Sequence, residues 1–198
     1  VRPASNDPVA VRVTTARDVV ARGDLLRYTS PVNLAAVQQV PALDRSLWTA
    51  AGDLDGDGRP EVLTLAGSGY SWLIIHRVDP DGSLVAQQHY VTLPGPASAA
   101  VGDLNGDGRN DVVVSIYNTS NFQVFMGKGD GTLLPPVTYA HPASLGYRVR
   151  LGDINGDGRL DIVGAGYSSR TIFMAIGNGD GTFQAATQIG TGGNPQDL

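Results

Sequence analysis

The stretch Gly102–Asp111, GDLNGDGRND, decides the fold because closely related stretches occur three times at a constant spacing. The other copies, GDLDGDGRPE and GDINGDGRLD, begin at Gly52 and Gly152, so both intervals are 50 residues. Each copy places oxygen-bearing side chains at alternate positions with glycines between them. The chain is therefore built on an internal repeat of this length.

Three loops result when each copy is numbered from its first aspartate: loop 1 (residues 53–61), loop 2 (103–111) and loop 3 (153–161). Oxygen side chains occupy positions 1, 3, 5 and 9 of each loop. They are Asp53, Asp55, Asp57 and Glu61; Asp103, Asn105, Asp107 and Asp111; and Asp153, Asn155, Asp157 and Asp161. Calcium takes about six to eight oxygen ligands, whereas zinc prefers His and Cys. The sequence predicts three calcium sites, with magnesium as the weaker alternative.

Glycine and arginine follow at positions 6 and 7 of each loop. Gly58, Gly108 and Gly158 can adopt the positive φ that folds a loop back around an ion. Position 7 is expected to contribute its backbone oxygen while its side chain points to solvent. These residues are Arg59, Arg109 and Arg159.

Two other structures share features with these loops. Helical calcium motifs need an acid at position 12, but Thr64, Val114 and Gly164 stand there, and the following segments are rich in β-branched residues. Asp-Gly and Asn-Gly pairs can form tight hairpin turns without any ion. Turn chemistry alone does not explain the acid retained at position 9.

A period near 50 residues with several strands per unit indicates β-propeller blades, because one small sheet must stack on its neighbours. In the second repeat, SAAVGD, DVVVSIY, FQVFMGKG and TLLPPVTYA predict four antiparallel strands. The predicted fold is all-β, with blades at 46–95, 96–145 and 146–198. The last range includes a lead-in to a further strand, and residues 1–45 are predicted to form a partial or degenerate blade.

The repeats resemble the FG-GAP or VCBS type of integrin-like β-propellers. The DxDxDGxxD-type loop and the turns GKGDGTL and GNGDGTF carry the resemblance, which covers roughly residues 45–190. It implies calcium in the loop between the first and second strands of a blade. Proteins of this type include secreted bacterial surface proteins and some fungal lectins.

Composition and charge exclude several classes of partner. The net charge is −5, and the 14 Lys and Arg residues are scattered, so a nucleic-acid partner is not expected. No apolar run approaches the roughly 20 residues of a membrane-spanning helix, so no membrane insertion is expected. Ten of the 19 acidic residues lie in the three loops. Without a cation, those clusters would repel themselves.

No catalytic constellation is visible. The chain has no cysteine, and its three histidines, His76, His89 and His141, fall at unrelated positions of the repeat. His76 lies in an apolar strand and is expected to pack there, whereas the other two lie in polar stretches expected at the surface. The chain is therefore predicted not to be an enzyme.

Candidate ligand-binding residues lie at the edge of the blades opposite the metal loops. Aromatic and amide side chains near the second-to-third strand connections suit stacking on sugars or anchoring a protein, although they can instead cap hydrophobic layers. The residue four positions before the glycine that opens each repeated stretch also varies between repeats: it is Trp48, Ser98 or Arg148. The candidates are Tyr70, Trp72, Tyr117, Asn118, Tyr167, Arg170, Trp48 and Arg148.

The leading hypothesis is a secreted or cell-surface adhesion module, stabilised by calcium, that binds glycans or proteins. One alternative is a structural subunit of a surface filament or adhesin stalk that self-associates through its terminal strands. Another is the non-catalytic propeller part of a polysaccharide-acting enzyme.

Overall fold

A computed structural model of the protein describes residues 46–67, 71–80, 82–117, 119–142, 146–166 and 170–193. The partial blade predicted at residues 1–45 lies outside these ranges. Every element of regular secondary structure within them is a β-strand. This confirms the predicted all-β class.

The strands form three antiparallel sheets of four strands each, in which consecutive strands are neighbours. Blade A contains β1 (Ser46–Gly52), β2 (Glu61–Ala66), β3 (Trp72–Val78) and β4 (Leu84–Val91). Blade B contains β5 (Pro96–Gly102), β6 (Asp111–Ile116), β7 (Asn121–Phe125) and β8 (Val137–Ala140). Blade C contains β9 (Gly146–Gly152), β10 (Asp161–Gly166), β11 (Thr171–Ala175) and β12 (Thr187–Gly190). The prediction of propeller-like blades is confirmed, and the described sheets do not close into a ring.

Burial along the second strands shows that blade B lies between the other two. All six residues of β6, DVVVSI, are buried, because alternate side chains pack on opposite neighbours. Val112 and Val114 join the cluster shared with blade A, whereas Val113 joins the cluster shared with blade C. In β2, by contrast, Leu63 and Leu65 are buried, whereas Val62 and Thr64 are only half-buried.

The two interfaces between blades differ in chemistry. Aliphatic side chains dominate between blades A and B. Between blades B and C, the Phe122 ring stacks near Phe173 with centroids 6.1 Å apart, and His141 stacks on Phe173 at 4.1 Å. His141 is 4% exposed, so its predicted surface position was wrong. Ala140 and Pro142 flank it in the sequence, and its ring lies against the aromatic cluster between blades B and C.

The first strands of the blades pack side by side, with β1 against β5 and β5 against β9. A buried hydroxyl links two of them, because Val149 N–H donates to Ser98 Oγ at 2.9 Å. Each metal loop leaves the end of a first strand and enters a second strand. The three loops therefore lie at one edge of the blades, and the connections from second to third strands lie at the opposite edge.

Candidate metal centre

All three loops fold around the aspartate at position 1. In loop 1, the Asp53 carboxylate accepts hydrogen bonds from the N–H groups of Gly56 at 2.7 Å and Gly58 at 2.9 Å. The same bonds join Gly106 and Gly108 to Asp103, and Gly156 and Gly158 to Asp153. Gly58 has a φ of 83°, as the sequence predicts, and glycine avoids the steric penalty of that conformation.

Loop 1 gathers carboxylates into a compact group. One oxygen each from Asp53, Asp55 and Glu61 lie within 4.8 Å of one another. Glu61 is 3% exposed, and one of its oxygens accepts a hydrogen bond from Leu54 N–H at 2.7 Å. In the described part of the chain, no basic side chain forms an ion pair with these acids. The donor set is entirely oxygen and strongly anionic, which fits calcium.

The surroundings of Glu61 disfavour its charged form. Burial raises the pKa of Glu61 above its ordinary value, the Leu54 N–H opposes that shift, and the nearby charges of Asp55, Asp53 and Asp57 add to it. A divalent cation among these oxygens would reverse this balance, because an opposite charge favours the ionised carboxylate.

Loops 2 and 3 use the position-9 aspartate differently. Both oxygens of Asp111 accept backbone hydrogen bonds, from Leu104 N–H at 2.9 Å and from Gly127 N–H at 2.7 Å. Asp161 makes the same pair of bonds in blade C, with Ile154 and Gly177. A Cβ on Gly127 would lie 2.1 Å from the Asn110 carbonyl oxygen, so only glycine allows this approach. The position-9 aspartate thus ties the loop to the turn after the third strand.

The asparagine at position 3 also engages its neighbour in these two loops. Asn105 Nδ2 donates to Asp107 Oδ2 at 3.1 Å, and Asn105 Oδ1 accepts from Asp107 N–H at 3.0 Å. Asn155 and Asp157 repeat both bonds. In the residues that the structure describes, loops 2 and 3 contain no group of three acids as compact as that of loop 1. Their ligand sets stay predictions.

The arginines at position 7 are exposed, but two of them lie along a turn instead of extending freely into solvent. A Cβ on Gly129 would come within 3.0 Å of Arg109 Cδ, and one on Gly179 within 2.8 Å of Arg159 Cδ. Their exposure agrees with the prediction that these side chains point to solvent, and the turn adds a contact that the sequence did not indicate. Blade A has Pro80 at the corresponding turn position.

Contacts from the following blade, which sequence reasoning missed, hold the first two loops. Asn110 Nδ2 donates to the Asp53 carbonyl oxygen at 2.7 Å, and Gly131 N–H donates to the Leu54 carbonyl oxygen at 3.1 Å. Gly181 N–H reaches the Leu104 carbonyl oxygen at 3.3 Å. The repeated Gly-Asp-Gly-Thr turn was the available signal, because it supplies both glycine donors.

At the opposite edge, the structure brings together two of the predicted ligand-binding residues. Arg148 Cζ lies 5.2 Å from the centroid of the Trp48 ring, although the two residues belong to blades A and C. Ser98, the third residue of this set, is fully buried and bonds to blade C. Its identity therefore has a packing reason that the comparison of repeats did not anticipate.

The remaining ligand candidates are dispersed. Trp72 packs edge-on against His89 with centroids 5.9 Å apart, Tyr117 is half-buried after β6, and Arg170 is exposed before β11. These three residues lie in different blades. Tyr70, Asn118 and Tyr167 lie outside the described residues.

Among the residues that the structure describes, no helix is long and apolar enough to cross a membrane.

Among the solved structures that resemble the chain, one supports the fold. A protein from Lactobacillus plantarum matches with a TM-score of 0.51 at 17% identity, covering 73% of this chain and 41% of that one. An Agrocybe aegerita lectin, described as specifically recognising non-reducing terminal N-acetylglucosamine, matches with a TM-score of 0.45 at 22% identity. That match covers 71% of this chain and 37% of the lectin. The chain thus spans about two fifths of each of these proteins.

Sequence comparison identifies the repeat. No curated protein matches the chain. The profile described as an FG-GAP-like repeat matches residues 53–114, 103–164 and 153–198, each match beginning at the first aspartate of a loop. These matches together cover well over half of the sequence, and the chain belongs to the FG-GAP-like repeat family.

Proposed function

We propose that the chain is a calcium-stabilised, non-catalytic binding module that works outside the cell and recognises a glycan or a protein. One observation carries the proposal: loop 1 concentrates four carboxylates, three of them with oxygens within 4.8 Å, and no ion pair from the described chain balances them. Such a group is costly in a folded protein unless a cation joins it.

Calcium suits the chemistry of loop 1. Asp53, Asp55, Asp57 and Glu61 would hold it together with the backbone oxygen of Arg59. The ion would supply positive charge that offsets carboxylate repulsion and joins the start of the loop to its end. Extracellular calcium is abundant enough to fill module-type sites with dissociation constants of about 10⁻⁴ to 10⁻³ M. Binding would then stabilise the fold by mass action.

Ligand recognition is proposed at the opposite edge, around Trp48 and Arg148. A guanidinium over an indole face is favourable, and tryptophan and arginine are enriched among residues that dominate binding energy. The two side chains come from different blades. The geometry of this site therefore depends on the packing of all three sheets.

Thermal unfolding with calcium and with a chelator tests the metal half of the proposal. Calcium should raise the midpoint of the wild-type protein, and Asp53→Asn should shrink the increase. Asp79→Asn, at a turn that makes no hydrogen bond to the three loops among the described residues, is the matched control and should keep it. An unfolding midpoint that is indifferent to chelation would refute the role of calcium.

A glycan array on the calcium-loaded protein tests the ligand half. We expect a restricted set of bound glycans, with binding reduced by Trp48→Ala and by Arg148→Ala but retained in Trp72→Ala. If no glycan binds, crosslinking to surface proteins of candidate host cells tests protein recognition. Equal binding by the wild type and both edge variants would exclude this edge as the ligand site.

A structural role is the second candidate, favoured by the open edge of blade C. Strand β12 lies at the edge of its sheet with all four residues exposed, and Ile189 is 55% exposed. Exposed edge strands can pair with another chain. Light scattering with and without calcium would show oligomers sensitive to Ile189→Lys if this candidate holds, and a monomer throughout if it does not.

A further inference from the structure

We infer that the three loops are unequal cation sites, that loop 1 binds first and most tightly, and that Asn110 of the next blade is a positioning residue for it. This inference rests on the proposed function, because it concerns the same calcium loops. It assigns different roles to residues that the repeat makes look equivalent.

The first observation concerns carboxylate oxygens that accept no hydrogen bond. In the described part of the chain, loop 1 has three such atoms: Asp55 Oδ2, Asp57 Oδ2 and Glu61 Oε1. In loops 2 and 3, both carboxylate oxygens of the residues at positions 1, 5 and 9 accept at least one hydrogen bond from the chain. Loop 1 can therefore turn oxygens toward a cation without giving up existing bonds.

The second observation is the residue at position 3. Loop 1 has Asp55 where the other loops have Asn105 and Asn155, so it carries four carboxylates instead of three. The two asparagines donate from their amides to the carboxylate at position 5, whereas the Asp55 carboxylate has no N–H to donate and repels the Asp57 carboxylate. Calcium affinity rises with the charge of the ligand set.

The third observation explains why one oxygen of the position-9 acid accepts no hydrogen bond in blade A, in contrast to blades B and C. Val78 is the blade A counterpart of Gly127 and Gly177. In every blade, this residue pairs with the residue six positions later. Any Cβ at the glycine would collide with the carbonyl at position 8 of its loop. The Gly127 N–H, which donates to the second oxygen of Asp111, therefore has no counterpart in blade A. Glu61, one methylene longer, keeps its second oxygen for the cluster.

The fourth observation is a side-chain hydrogen bond from blade B to loop 1. The Asn110 side chain donates to the carbonyl of Asp53, the first residue of the predicted cage. Blade C has Leu160 at the same position, and its Cδ1 would lie 2.8 Å from a Cβ on Gly102. The polar bond to the preceding loop is thus replaced by an apolar contact. A preorganised ligand set loses less entropy on binding, so Asn110 should raise the affinity of loop 1.

Reciprocal swaps within the chain test the inference by calcium equilibrium dialysis and by terbium luminescence. We expect the wild type to bind one cation at least about tenfold more tightly than any other. Asp55→Asn should weaken that first event about tenfold, and Asn105→Asp should strengthen a later one. Asn110→Leu should weaken the first event without changing the number of ions, whereas Leu160→Asn should leave the first event unchanged.

The outcomes separate the inference from the proposed function. Three equal affinities, or a first event unaffected by both Asp55→Asn and Asn110→Leu, would overturn the inference and leave calcium stabilisation intact. No binding by the wild type would overturn both. Each variant is compared at matched far-ultraviolet circular dichroism, and a variant that fails to fold is replaced by Glu61→Gln, which is expected to abolish tight binding.

Discussion

Loop 1 and loop 3 carry the same turn, yet their surroundings differ. Leu54, at position 2 of loop 1, is 1% exposed beneath blade B, whereas Ile154, at the same position of loop 3, is 45% exposed. Backbone and side-chain donors from blade B reach loop 1, and no such donor covers loop 3 in the described residues. The motif specifies the turn, while the neighbouring blade decides how firmly the turn is held.

Alanine at position 2 should give the largest contrast between the two loops. Leu54→Ala should cost about 2–5 kcal/mol of unfolding free energy, because it leaves a cavity in the cluster between blades A and B. Ile154→Ala removes a partly solvated side chain and should change stability by about 0.5 kcal/mol or less. Urea unfolding measures both. Equal losses would show that loop 3 is as well covered as loop 1.

Amide substitution at position 9 should destabilise the protein more in loop 2 than in loop 1. With a chelator present, Asp111→Asn should cost about 1–3 kcal/mol, because one of two buried N–H groups loses its acceptor. Glu61→Gln should cost less or stabilise the chelated protein, because it removes charge from the crowded cluster. Thermal unfolding in the presence of a chelator measures the stability of both variants. Destabilisation of both by the same amount would contradict the distinction.

The buried His76 of blade A should make stability depend on pH. Burial lowers the pKa of His76 from its ordinary value of 6.5, and the charge of His89 lowers it further. The unfolded chain then takes up a proton more readily than the folded one, so this contribution is present above pH 6.5 and lost as the pH falls below it. Each unit of difference corresponds to about 1.4 kcal/mol.

Unfolding of the dialysed protein between pH 7.5 and 5 measures this loss. His76→Gln should flatten the slope, and the exposed His89→Gln should retain most of it. An unchanged slope in His76→Gln would place the titrating group elsewhere.

The smallest expected effect is at the opposite edge, where blades A and C meet through two side chains. Arg148→Ala should cost about 0.5–1 kcal/mol, typical of a partly solvated cation–π contact. It should also shift the fluorescence of Trp48, with Arg170→Ala as the exposed control. Unaltered emission in Arg148→Ala would mean that the two side chains do not pair in solution.

Much of the fold was predictable, because its signals are local and repeated. Glycine φ, aspartate turns and β-branched segments such as DVVVSI each depend on residues close together in the chain. The all-β class and the stacked four-stranded sheets followed from them. The oxygen-bearing positions of the loops were also visible in the sequence.

The differences between the copies were not predictable, because they depend on contacts between blades. Nothing near Asn110 indicates that its amide reaches Asp53, which is 57 residues away. Ala140 and Pro142 beside His141 give no sign that its ring lies against Phe173 of the next blade. Val78 looks like an ordinary strand residue until its place is matched to Gly127. Each case needs the packing of two sheets.

Crystal diffraction in calcium-replete solution, with anomalous differences collected for the metal, tests the central claim most directly. The predicted result is a strong peak enclosed by Asp53, Asp55, Asp57 and Glu61, with weaker peaks or none in the other two loops. A map with no peak in loop 1, or with equal peaks in all three loops, would contradict the account.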